Sequence, residues 1–457
     1  MVSTVQKAAS SVQVFSSPEE LNLKRALGVS DLIVYGMVYM LPIAPFALYG
    51  IIGGVSNGLV PLVYLASLIV MMFTARSYML MSAEFPTAGS TYTYTQKGIN
   101  EFAGFIAGWV VFLDYILAPG LLSIVSAAAM NAFVPFIPRW TWILLFVGIG
   151  TGLNLVGVDI GAKYNKIFLF LMMIVLLIYM GSCGYALMHG KGHGTLTLAA
   201  LYSRHAFTWG GLATGVLIGS TNFLGFDAIT TLGEEVKHDQ KHLLGFAGMA
   251  TLLIIGFLFI MQTWVTADLA PGAHIRSLDT ASYDIAQYAG GSWLFGLTSI
   301  STALAFGVPC TIVSQSAIAR IIFAMGRDRQ LPHVFSRLHR KSQQPYVANL
   351  FVAAVSVIVA LIFQNHLDEI ALFQNFGALT AFALVNVSVV NYFQIKNRSR
   401  HHINHLVVPL IALGIILALL FSMRQATLTL GLTWLMLGII YYCVMRFVLG
   451  RKTALEI

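Results

Sequence analysis

Two acidic residues stand where an acid is least expected. Asp227 lies in the otherwise apolar run "GLATGVLIGSTNFLGFDAITTLGEEV", two residues after Gly225, and Asp114 lies with Tyr115 in "GWVVFLDY". A carboxylate inside apolar surroundings is expensive unless it binds a cation, carries a proton or pairs with another group. Both are therefore candidates for cation and proton chemistry, against the plainer alternative of an acid hydrogen-bonded to backbone for packing. Glu234 and Glu235 follow at the end of the same run, where a gate or a salt bridge to Lys237 or Lys241 is an equal reading. A cation gains about 0.5–2 kcal/mol over an aromatic face. Tyr39, Phe46, Tyr115, Phe223 and Phe226 are the candidate rings, with lipid contact or packing as their ordinary role, and Phe373 and Phe376 are weaker ones.

These residues need elements that place them in a membrane. Hydrophobic residues make up 58% of the 457-residue chain and charged residues 10%, with a mean hydropathy of +0.80. That excludes a soluble domain around one core. A helical crossing takes about 20 apolar residues. Twelve stretches qualify, at 29–53, 59–82, 100–128, 138–157, 164–188, 209–233, 243–266, 290–325, 346–364, 369–395, 403–422 and 426–448. With both termini in the cytoplasm, 21 of the 26 Lys and Arg fall inside, and the exceptions are Arg139, Lys191, Arg204, Arg276 and Arg424. This obeys the positive-inside rule and accounts for the net charge of +8 without a nucleic-acid partner. The polar first 25 residues lack the apolar region of a cleavable signal and read as a cytoplasmic tail.

The first stretch, "YGMVYMLPIAPFALYGIIGG", contains Pro42 and Pro45. Proline inside a membrane helix is tolerated where protein or a wet cavity satisfies the freed backbone groups. An unwound patch is expected there, with Ile43 and Ala44 in it. The sixth stretch offers a second break around Gly219, Ser220, Thr221, Asn222 and Gly225. Interrupted segments five helices apart point to an inverted repeat of five plus five helices with substrate held at the midplane. The expected organisation is a tail at 1–28, a transport core at 29–395 made of repeats at about 29–188 and 209–395, two further helices within 396–448, and a tail at 449–457.

The runs "FLGFDAITTLGEEV", "FPTAGSTYTYTQKGIN", "GWVVFLDY", "FAMGRDRQLP" and "FGALTAFALVNVSV" resemble the amino acid, polyamine and organocation transporter superfamily. Within it the chain is most similar to bacterial putrescine importers, from about residue 24 to the end. The resemblance implies an all-α integral membrane protein of twelve transmembrane helices with a LeuT-like fold, broken helices one and six, and proton-coupled uptake of small cationic or zwitterionic metabolites across the inner membrane. It also implies an acid at the position of Asp227 and a role for Glu234 and Glu235. Amino-acid permeases of this fold present a glycine-rich turn to the substrate carboxylate. The matching residues here are Pro42, Ile43, Ala44 and Pro45, two of which cannot donate, and this favours a substrate with amines at both ends. One departure opposes it: Ala47 stands where putrescine importers tend to have an acid.

The expected function is import of a small amine, putrescine or a related polyamine, by proton symport, with Asp227 or Glu234 as the proton carrier and sodium as the rival ion. An amino-acid permease or exchanger of the same fold is the alternative, and a potassium-uptake protein or channel the alternative of another class. No P-loop or nucleophile–base set is present, so an ATP-driven pump or an enzyme is disfavoured. Cys183, Cys310 and Cys443 have no metal or disulfide spacing, and "HHINH" at 401–405, even with His238 and His242, lacks the further ligands a metal would need. No cofactor is expected.

Overall fold

The computed structural model describes residues 27–87, 89–156, 162–233, 236–237, 243–327, 331–339 and 344–448, without the side chains of 162–165, 324 and 327. Glu234 and Glu235, and most of both expected tails, lie outside the described residues. Among the described residues the regular structure is helical, with one isolated bridge between Leu27 and Val236. Among the described residues eleven helices are long and apolar enough to cross a membrane, and a bent pair makes a twelfth span.

Span one is that pair, α1 (Val29–Met40) and α2 (Pro45–Val55), bent by 55°. Span two is α3 (Val60–Glu84), followed by a short helix α4 (Ser90–Gly98). Spans three to five are α5 (Glu101–Phe133), α6 (Arg139–Val156) and α7 (Ala162–Met188). Span six begins as α8 (Trp209–Ser220), and span seven is α9 (Leu244–Leu269). A second short helix, α10 (Ala281–Gly290), precedes span eight, which is α11 (Ser292–Ala305), a π-turn at Phe306–Cys310 and α12 (Thr311–Arg327). Spans nine to twelve are α13 (Tyr346–Phe363), α14 (Leu367–Val389), α15 (Val408–Phe421) and α16 (Gln425–Cys443).

Local chemistry sets several helix starts. Asn100 caps α5 by accepting from the Ala103 N–H at 2.9 Å, and Thr208 caps α8 by accepting from Gly211 at 3.1 Å. Span eight departs from the single straight helix expected over 290–325. Pro309 cannot donate to the ladder, and the chain accommodates it in a widened turn. The two short helices were not anticipated. "STYTYTQKG" is rich in β-branched and aromatic residues, and α4 holds its shape by packing on α5 and α14.

Spans one, three, six and ten are the most enclosed, and α3 packs extensively on α9. Spans five and twelve sit at the periphery, where Phe170, Leu171 and Leu177 of α7 and Leu432, Met436 and Leu437 of α16 are exposed. Such an apolar belt is what lipid covers. Span twelve is fastened to span three by a reciprocal pair. The Trp109 indole donates to the Trp434 carbonyl at 2.8 Å, the Trp434 indole donates to the Trp109 carbonyl at 3.1 Å, and the rings stack 4.8 Å apart.

At the end of the bundle remote from both termini, most of the exceptional cations are neutralised locally. Arg139 pairs with Asp279 at 2.8 Å, Arg276 with Asp284 at 2.6 Å and Arg424 with Asp368 at 2.9 Å. The Lys191 ammonium donates to the carbonyls of Tyr288 and Ala289 and lies 5.3 Å from the Tyr288 ring centre.

Candidate functional site

The break in span one, with Tyr39, Leu41 and Ala44, forms the first wall. Helix α1 ends at Met40, Leu41 turns to φ +53°, and α2 starts at Pro45. The Pro42 carbonyl, released from the ladder, accepts from the Gln262 amide of α9 at 2.9 Å. The N–H groups around the break are also committed. Ala44 donates to Leu41, Phe46 to Ile43 and Ala47 to Ala44, at 2.8–3.1 Å. With both prolines lacking a donor, Ile43 is the residue of the four from 42 to 45 whose N–H is left over.

Span six supplies the second wall. After α8, one 3-10 turn (Thr221–Phe223) leads to extended backbone at Leu224 and to Gly225 at φ +114°. Only glycine adopts that conformation without strain. A Cβ at Gly225 would also strike the Tyr39 ring, so the glycine lets this break lie flat on span one. Asp227 then heads a second 3-10 turn (Ala228–Leu232), and its Oδ1 accepts from the Gly225 N–H at 3.2 Å.

Spans three and ten close the site. Asp114 Oδ1 accepts from the Gln374 amide at 2.8 Å across 260 residues of sequence. The next residue, Asn375, donates to the Leu217 carbonyl and to Thr221 Oγ1 (2.6 Å), so consecutive side chains of α14 tie span three and the broken end of α8 to one point. Asn222 donates to the Tyr64 hydroxyl at 2.6 Å.

Between these elements lies a cavity of about 100 Å³, room for several water molecules. Of the expected site residues, Tyr39, Ala44, Asp114, Tyr115, Asn222 and Asp227 line it together. Both acids are half-buried, and no Lys, Arg or His is among the lining residues. Four expected residues do not line it. Ile43 is fully buried, and Phe46 packs on Tyr179 with ring centres 4.5 Å apart. Phe223 packs with Tyr64 and Phe259, and Phe226 with Tyr78 and Phe382. These rings fill the core because the break turns Asp227 toward the cavity and carries the two phenylalanines, three residues apart, to the packing side. Phe376 is likewise buried, against Gly431 of α16.

Residues not anticipated complete the wall: Tyr35 from α1, Thr221 from span six, Phe306, Pro309, Cys310 and Ser314 from span eight, and Gln374 from span ten. Tyr35 stands one helical turn before Tyr39, with rings 6.4 Å apart, and that spacing could have flagged it. Pro309 was a readable signal as well, being, like Pro119 of α5, a proline inside a span.

A family model described as amino acid permease matches residues 30–449. The chain belongs to this family. It is 31% identical to the low-affinity putrescine importer PlaP of Escherichia coli (strain K12), over 95% of this chain and 96% of that protein. It is 26% identical to the branched-chain amino acid permease BcaP of Bacillus subtilis (strain 168), over 95% of this chain and 94% of the other. A methylthioribose transporter of the same organism is 24% identical over 95% of each chain. The protein is a multi-pass membrane transporter of the amino acid, polyamine and organocation superfamily, and not an enzyme.

Proposed function

We propose that this transporter imports a small organic amine, putrescine or a close relative, by proton symport through alternating access. The supporting observation is the charge of the cavity: Asp114 and Asp227 face it with three phenols, Tyr35, Tyr39 and Tyr115, and no basic side chain lines it. Carboxylates give charge-assisted hydrogen bonds to ammonium groups, and the phenol rings add cation–π attraction. The committed N–H groups at the span-one break argue the same way, since a substrate carboxylate would find little there to bind. The putrescine importer among the relatives fits this reading.

Each carboxylate can also hold a proton, and Asp227, at the break of span six, is the coupling candidate. Glu234 remains a second one from the sequence. The two broken spans, five apart, support the five-plus-five inverted repeat, and the distribution of Lys and Arg supports an inner-membrane protein with cytoplasmic termini. An amino-acid substrate is the second reading, favoured by the branched-chain amino acid permease among the relatives. Counter-flow in proteoliposomes decides. Labelled putrescine should be displaced by diamines and only weakly by α-amino acids, and uptake should follow an imposed inward proton gradient. Strong saturable amino-acid uptake with no amine competition overturns the proposal.

A further inference from the structure

We propose that Gln374 is a specificity-determining relay that makes the protonation state of Asp114 felt by the substrate. Gln374 lines the cavity, its Nε2 donates to Asp114 Oδ1 at 2.8 Å, and its Oε1 is buried with no hydrogen-bond partner in the protein. An ionised carboxylate only accepts, so with Asp114 charged the amide must turn its NH2 to Asp114 and leave its oxygen free. A buried acceptor without a partner is unfavourable, and a small turn of the Gln374 side chain toward the cavity lets an ammonium group satisfy it. When Asp114 takes a proton it becomes a donor, and the amide gains a reason to rotate: Oε1 then accepts from the acid and the NH2 takes the place of the free oxygen. The site thus changes from an acceptor pair that attracts ammonium to a neutral pair with an outward donor that repels it.

The rotation needs no movement of α14. Asn375 holds the adjacent backbone to Leu217 and Thr221, so the amide plane turns on a fixed base. The groups facing this pair are Asp227 from span six, Tyr35 and Tyr39 from span one, Tyr115 from span three and Cys310 from span eight. None of them is a fixed cation that would hold Asp114 ionised at every pH.

The relay rests on the amine reading for its substrate, and the test separates the two. Putrescine affinity of the purified protein is measured across a pH series for wild type, Gln374→Met and Gln374→Glu. Gln374→Met keeps the length but removes both polar ends. It should weaken binding about tenfold or more at the alkaline end, as expected for a lost hydrogen bond to a charged group, and the deficit should vanish at the acid end. Equal affinity and an equal pH slope in a monodisperse Gln374→Met protein overturn the relay. Gln374→Glu carries the test if the methionine variant does not fold. It adds a second titrating acid beside Asp114, so its pH profile must differ from wild type, and an identical profile overturns the relay. If wild type binds an amino acid and no amine, the amine reading fails alone. The same variants are then measured with that amino acid, and an unchanged pH slope overturns the relay separately.

Discussion

Replacing Asp227 by asparagine tests whether charge at the span-six break draws the substrate in. The change is nearly isosteric. An asparagine Oδ1 still accepts from the Gly225 N–H, so the turn at Gly225 keeps its 3.2 Å contact. What disappears is the negative charge on a group that lines the cavity. A hydrogen bond to a charged group is worth about 1.5–3 kcal/mol against about 1 kcal/mol for a neutral one. The difference of about 0.5–2 kcal/mol is a factor of roughly 2–30 in affinity. Coulomb attraction adds to this: two unit charges about 4 Å apart at an effective dielectric of about 20 attract by about 4 kcal/mol before desolvation is subtracted. A loss of at least tenfold in putrescine affinity is expected, together with loss of proton-driven accumulation. Scintillation proximity binding on purified protein reads the first, and uptake into proteoliposomes under an imposed pH gradient reads the second. A folded Asp227→Asn protein that binds within twofold of wild type and retains pH-dependent accumulation would refute the assignment of Asp227 to substrate and proton alike.

Gly225→Ala places a side chain at φ +114° and against the Tyr39 ring, so thermal stability should fall by about 1–3 kcal/mol and uptake with it, as a melting curve and an uptake assay would show. Cys310 lines the cavity while Cys183 is buried and Cys443 is exposed away from it. In a Cys443→Ser background, a small cationic methanethiosulfonate should modify Cys310, and putrescine should protect it; mass spectrometry of the labelled protein reads both. Trp109→Phe removes one indole donor from the Trp434 clasp and should lower stability by about 1 kcal/mol, with substrate affinity unchanged by the binding assay above.

The architecture was legible because membrane physics is unforgiving. Long apolar runs gave the spans, and Pro42, Pro45 and Gly225 marked breaks that the backbone then shows. Asp114 and Asp227 stood out for the same reason, since charge among apolar residues is conspicuous. Gln374 did not: an uncharged amide in α14 becomes meaningful only beside Asp114, and that contact joins residues 260 apart in sequence. The five candidate rings divide between cavity and core. Tyr39 and Tyr115 line the cavity while Phe46, Phe223 and Phe226 fill the core, because proximity to a break does not fix which way a ring turns, whereas a phenol hydroxyl benefits from a polar cavity and a phenyl ring does not. The π-turn in span eight carried one mark in the sequence, Pro309, which removes a backbone donor from the ladder.

The ion pairs at the far end of the bundle also bear on how a substrate arrives. In the proposed topology that end faces outward, where unmasked arginines would raise an electrostatic hill in front of an approaching cation. Asp279, Asp284 and Asp368 flatten it by cancelling Arg139, Arg276 and Arg424 one for one. Under the proposed amine import, this leaves the carboxylates of Asp114 and Asp227 as the field that draws a cation toward the cavity.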